Sequence, residues 1–120
     1  MIIENELINI VSRAIKLNRS DIHFMVGIQI VEIRYRLGHI MPEADQYILL
    51  DEYKSLIAYI IKHAGLKPIS PSDSKFGIGQ SGTLPINDEI DHLFTCRVSL
   101  LPTKKQPSLI LRIMPKRKGE

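Results

Sequence analysis

Tryptophan is absent from the sequence, cysteine occurs once, and the remaining aromatics are four tyrosines and three phenylalanines among 120 residues. A single cysteine excludes an internal disulfide framework and a cysteine-rich zinc site, and it fits a reducing compartment. No segment approaches the roughly 20 apolar residues of a membrane-spanning helix. Glu4 and Glu6 stand where a secretory signal would carry bases. The expectation is a soluble, unexported chain.

Several chemical signatures are missing as well. There is no Gly-x-x-x-x-Gly-Lys-Ser/Thr run, so the backbone cradle and lysine needed for nucleotide hydrolysis are lacking and the chain alone is not expected to be an enzyme. Gly77-Ile78-Gly79-Gln80-Ser81-Gly82 spells the dinucleotide-binding pattern, but that motif works only between a strand and a helix. Here Thr83-Leu84-Pro85 follows, inside a stretch rich in Pro, Ser, Gly and Asp. His23, His39, His63 and His92 are scattered, with no pairing at metal-ligand spacing. Ser99 has no histidine and carboxylate in view for a hydrolase triad.

What is present is the composition of one globular domain, 44% hydrophobic and 24% charged, in a length that buries a core without staples. The net charge is +3 and the isoelectric point about 9.1, part of it owed to Lys116-Arg117-Lys118, a run that reads as a solvated end or as a contact for phosphate. Ile3, Leu7, Ile10, Val11, Ala14 and Leu17 recur at helical spacing and predict an amphipathic helix from Ile2 to Leu17, ending near Asn18. Alternation predicts strands from Asp21 to Val26 and from Ile30 to Leu37, joined as a hairpin at Gly27. Past Gly38 and Pro42, a second helix is predicted from about Leu50 to Ala64, with Tyr53, Leu56, Ile57, Ile60 and Ile61 as its buried stripe and Gly65 as its stop. Residues 67–88 read as loop, with at most short strands around Phe76 and Thr83. The last strands are expected from Asp91 to Leu100 and from Ser108 to Met114. The fold class is therefore α+β, an antiparallel sheet with both helices packed on one face.

The last two strands each carry one arginine in an apolar pattern. If Lys104-Lys105-Gln106-Pro107 closes a hairpin, Cys96 pairs with Ile113, Val98 with Leu111 and Leu100 with Leu109, all on one face. Cys96 then reads as a core residue rather than a nucleophile. The same register puts Arg97 opposite Arg112 on the other face, where like charges repel, so an anion or an acidic partner is expected there. Arg34, Arg36, Asp21 and His23 share that far face and are candidate interface residues. Asp21 and His23 admit two readings. They form an acid/base pair, or Ser20 and Asp21 satisfy backbone donors at the helix-to-strand corner while His23 bonds a neighbour.

Four runs occur in order: Ser20-Asp21-Ile22-His23-Phe24, Ile33-Arg34-Tyr35-Arg36-Leu37-Gly38, Cys96-Arg97-Val98-Ser99-Leu100-Leu101-Pro102-Thr103 and Leu109-Ile110-Leu111-Arg112-Ile113-Met114-Pro115. This succession resembles the N-terminal domain of the traffic ATPases of type II secretion, type IV pili and competence pseudopili. A first helix beginning at Met1, and the lack of a Gly-Glu pair after Pro102-Thr103, are most similar to the competence ATPase of Gram-positive bacteria. The resemblance implies a PAS-like fold for residues 1–115. Residues 116–120 would begin the linker to a RecA-like motor domain, which holds the phosphate loop. It also implies that Arg97 and Arg112 reach the phosphates of ATP in the motor domain's cleft, with Mg bound through that domain. The implied partners are the motor domains of the same and neighbouring subunits, a homohexamer when full length, and the inner-membrane assembly platform. The implied location is cytoplasmic and peripheral to that membrane, in pseudopilus assembly and DNA uptake, with no direct nucleic-acid contact.

The chain departs from the family pattern at Leu37-Gly38-His39, where an aspartate often follows the arginine run. Pro71-Ser72-Asp73-Ser74-Lys75-Phe76 only loosely echoes a Pro-Gln-Asp-Gly turn, and residues 77–88 are longer than usual. Two alternatives stand beside the resemblance. A small basic nucleic-acid binding module draws on the isoelectric point and the arginine-bearing sheet, although exposed aromatics for stacking are few. The other is a PAS-like sensor with a small ligand in its core.

Overall fold

Apolar residues at three- and four-residue spacing build two 14-residue helices, α1 (Ile3–Lys16) and α2 (Leu50–His63). The computed structural model describes residues 3–68, 79–87, 93–103 and 105–114. In it, α1 buries Leu7, Ile10, Val11 and Ala14, and α2 buries Tyr53, Leu56, Ile57 and Ile60. Both helices carry acids in the first turn and bases in the last, which complements the helix dipole. Asn18 ends α1 at a φ of 56°, with the Arg19 N–H bonded to the Ala14 carbonyl at 2.9 Å. Gly65 ends α2 at a φ of 68°, where a side chain would be strained. No side chain caps the start of α2, but the Leu50 N–H finds the Gln29 carbonyl at 3.0 Å.

The described residues form six strands, β1 (Asp21–Val26), β2 (Ile30–Arg36), β3 (Gln46–Leu49), β4 (Gln80–Asn87), β5 (Leu93–Leu101) and β6 (Ser108–Met114). They form one antiparallel sheet in the order β3-β2-β1-β6-β5-β4, so the first and last strands are central neighbours. One side of every strand joins the helix stripes in a single apolar cluster that includes Ile22, Phe24, Val31, Ile33, Ile48, Leu84, Val98, Leu109 and Leu111. Burial of each such Leu or Phe is worth roughly 1.5–3 kcal/mol. The helices therefore cover one face, and the other is left open.

Two tyrosines bind the layers together. The Tyr35 hydroxyl donates to the Ile10 carbonyl at 3.2 Å and accepts from Gln46 Nε2 at 2.6 Å, while burial pushes its phenol up to about 12. The Tyr53 hydroxyl donates to the Pro107 carbonyl, tying α2 to the β5–β6 connection, and burial raises that phenol too. Cys96 is fully buried and its thiol is pushed up to about 12 by burial, the setting of a packing residue.

The limits of β1 and β6, and the β5–β6 register, are those the alternation predicts. The strand number is not: there are six instead of four. β3 is only four residues long and runs straight into α2, so it offers too little alternation to stand out. β4 spans eight residues around Thr83 where at most a short strand was expected. Its glycine and proline look like breakers, yet they suit a sheet edge, where Pro85 need not donate to a second neighbour. At Gly82 a Cβ would come within 3.0 Å of the Ala64 carbonyl, so only glycine lets the strand pass so close beneath the end of α2. The Gln80 side chain then pairs with the Lys67 backbone in both directions, each at 2.8 Å. The strand expected near Phe76, the turn at 71–76, the start of β5 at Asp91 and the tail from 115 to 120 lie outside the described residues.

Candidate functional site

Because side chains alternate across strands, residues paired laterally on the open face form rows that cross the sheet. One row is Arg36 on β2, Asp21 on β1, Arg112 on β6, Arg97 on β5 and Thr83 on β4, each the register partner of the next. The structure thus brings Arg97, Arg112, Arg36 and Asp21 together. The next row holds Arg34, His23, Ile110, Ser99 and Ser81. All six residues singled out from the sequence lie on this face.

Asp21 changes the meaning of the arginine pair. Its carboxylate accepts from Arg112 Nε at 3.0 Å and from Nη2 at 3.4 Å, and this hydrogen bond, followed by the charge itself, raises the guanidinium pKa. The acidic partner that the Arg97–Arg112 repulsion called for is therefore already in the fold, supplied by β1. An external anion is not required to explain the pairing. Among the described residues the Asp21 carboxylate accepts from Arg112 rather than from the backbone at the corner, where one sequence reading had it. The corner is closed by the Ile113 N–H on the Ser20 carbonyl at 2.8 Å, which leaves the Asp21 carboxylate to the neighbouring strand.

The flanking arginines are also engaged within the chain. Arg34 donates Nε and Nη2 to the same Glu32 oxygen, at 3.0 and 2.6 Å, and Nη1 to the Pro42 carbonyl at 3.3 Å. Arg36 Nε donates to the Gly38 carbonyl at 2.8 Å. His23 Nε2 is buried without a partner among the described residues, so the bond to a neighbour that one reading gave it is not made at that nitrogen there. Desolvation lowers its pKa, aided by Arg36 and opposed by Asp21. The acid/base reading of Asp21 and His23 gains no hydrogen bond between them. Arg19, which the sequence reading passed over, closes the same end of the sheet by donating to the Leu17 and Tyr35 carbonyls at 3.2 and 3.4 Å. A helix-to-strand corner gives no periodic signal that would have marked it.

Away from the arginines the open face turns apolar. Met25, Ile30, Tyr47, Leu49 and Leu101 are large hydrophobics left exposed there, and Ile110 is exposed within the second row. An uncovered apolar area beside a charged row has the make-up of a protein-binding surface. A shallow cleft of about 390 Å³ opens at this end between Phe24, Met25, Val26, Thr103, Lys105 and Ser108. Among the described residues, no group of three or more His, Cys, Asp or Glu side chains is placed to hold a metal, and no helix is long and apolar enough to cross a membrane. No protein-family model matches the chain, and a search of curated proteins gives no match.

Proposed function

We propose that this chain is the nucleotide-gating and subunit-docking domain of a traffic ATPase of the secretion, pilus or competence type, non-catalytic by itself. The observation that carries the reading is the register of Arg97 with Arg112 on an uncovered sheet face. These are the two arginines that the resemblance assigns to ATP. A guanidinium is permanently charged, and its donor fork matches phosphate oxygens. Two of them, delivered from outside a motor domain's cleft, stabilise phosphate charge and make domain closure depend on the nucleotide. Arg112 is held by one edge only, which leaves its other donors for phosphate.

The apolar part of the open face supplies the docking area against the motor domain, and Arg34 and Arg36, already tied to their own neighbourhood, shape its border. A sheet whose first and last strands are central neighbours, with a helix between its two outer hairpins, supports the PAS-like reading of the fold. The wider assignment, a hexamer working on a membrane platform in pseudopilus assembly and DNA uptake, rests on the resemblance of the four sequence runs. In the protein that joins this chain to a phosphate-loop motor domain, Arg97→Ala and Arg112→Ala are each expected to lower ATP turnover by roughly tenfold or more. The chain itself should stay folded, with Arg97→Ala barely moving its melting temperature and Arg112→Ala lowering it by roughly a few degrees as the Asp21 carboxylate loses its partner. Unchanged turnover in both variants overturns the reading.

A further inference from the structure

Asp21 stands at the floor of the arginine row. Its side chain is 12% exposed, whereas that of Arg112 is 60% exposed, so the guanidinium reaches outward over the carboxylate. The carboxylate takes the Nε and one Nη2 hydrogen, and the remaining three of the five guanidinium hydrogens have no partner among the described residues. The row therefore holds three guanidiniums and one carboxylate, leaving two formal positive charges where three would otherwise stand.

We propose that Asp21 is a built-in competitor for the anion that the row binds. It directs Arg112 by holding one edge, and it subtracts charge from what an incoming phosphate meets, so that binding is weak and readily reversed. That the row binds an anion rests on the nucleotide reading above; the geometry supplies the carboxylate that already holds one edge of Arg112. An anion on the outer edge of Arg112 lies about one guanidinium width from the Asp21 carboxylate. Removing a unit charge at about 6 Å in a partly screened site changes affinity by roughly tenfold. Asp21 has a second use that explains its presence: it relieves the repulsion between Arg97 and Arg112 when no anion is bound.

The test is titration calorimetry of the chain with inorganic tripolyphosphate and, separately, with ATP at low salt. Asp21→Asn keeps the shape and one acceptor while removing the charge. It is expected to tighten tripolyphosphate roughly tenfold, with a gain that shrinks as salt is added and disappears in the double variant Asp21→Asn/Arg112→Ala. Asp21→Ser serves the same comparison if the asparagine variant does not fold. A gain that persists without Arg112 overturns the proposal. Wild-type binding that is lost in Arg97→Ala but not tightened in Asp21→Asn also overturns it, while leaving the nucleotide reading standing. Tightening toward tripolyphosphate without tightening toward ATP still upholds the role of Asp21. No binding of either ligand by any variant overturns the proposal, while the nucleotide reading, which needs the motor domain, stands or falls by the turnover test.

Discussion

The two faces of the sheet are made by the same strands, one residue out of step, yet they follow different rules. On the covered face nearly any apolar residue serves, because Leu, Ile, Val, Phe and the neutral Cys96 all answer to the same helices. On the open face position matters. Charged residues collect in rows at one end, and large apolar side chains stay exposed at the other. The covered face holds the fold together. What separates this sheet from an ordinary amphipathic one is written on the open face.

Neighbouring residues of β6 give the sharpest contrast. Leu111 is fully buried between Ile22 and Val98, whereas Ile110 is 37% exposed on the other side. Leu111→Ala should cost about 2–5 kcal/mol in denaturant unfolding. Ile110→Ala should cost less than about 1 kcal/mol. Equal costs would mean that the open face is covered after all. Next in size, Tyr53→Phe keeps the ring packed against Phe24 but removes the donor to the Pro107 carbonyl. It should lower stability by about 1–2 kcal/mol, read in the same assay, and a silent substitution would show that the β5–β6 connection does not depend on α2.

The smallest effect belongs to His23. Its folded pKa lies below the ordinary 6.5 because burial disfavours the charged form. Above 6.5 the contribution is fully present. As pH falls through that value the unfolded chain takes up the proton first, and stability declines until the folded pKa is passed. His23→Asn should flatten this acid limb, with a difference of about 2 °C in melting between neutral and mildly acid buffer. A wild-type chain that becomes more stable over that interval would show that Asp21 outweighs desolvation.

Much of the covered face was legible because alternation and helical spacing are local signals. Asp21–Val26 and Ser108–Met114 announce themselves, and a short connection between β5 and β6 leaves little choice of register. The same alternation places the arginines on the far side. β4 was obscured by Gly82 and Pro85, whose roles as clearance and edge residue appear only once α2 lies above one and solvent beside the other. β3 was too short to show a period. The partner of Arg112 was beyond local reading altogether: Asp21 is 91 positions away, and no pattern within either strand says that β1 and β6 will meet.

That separation has a consequence in time. β1 can pair with β2 as soon as the first hairpin exists, but its other side waits for the final strand, and only then do Arg112 and Asp21 gain each other. Pairings so distant along a chain are slow to form, since the closure of a long loop precedes any reward. The charged row is therefore complete only once β1 and β6 have paired. Its presence certifies that both halves of the sheet have joined.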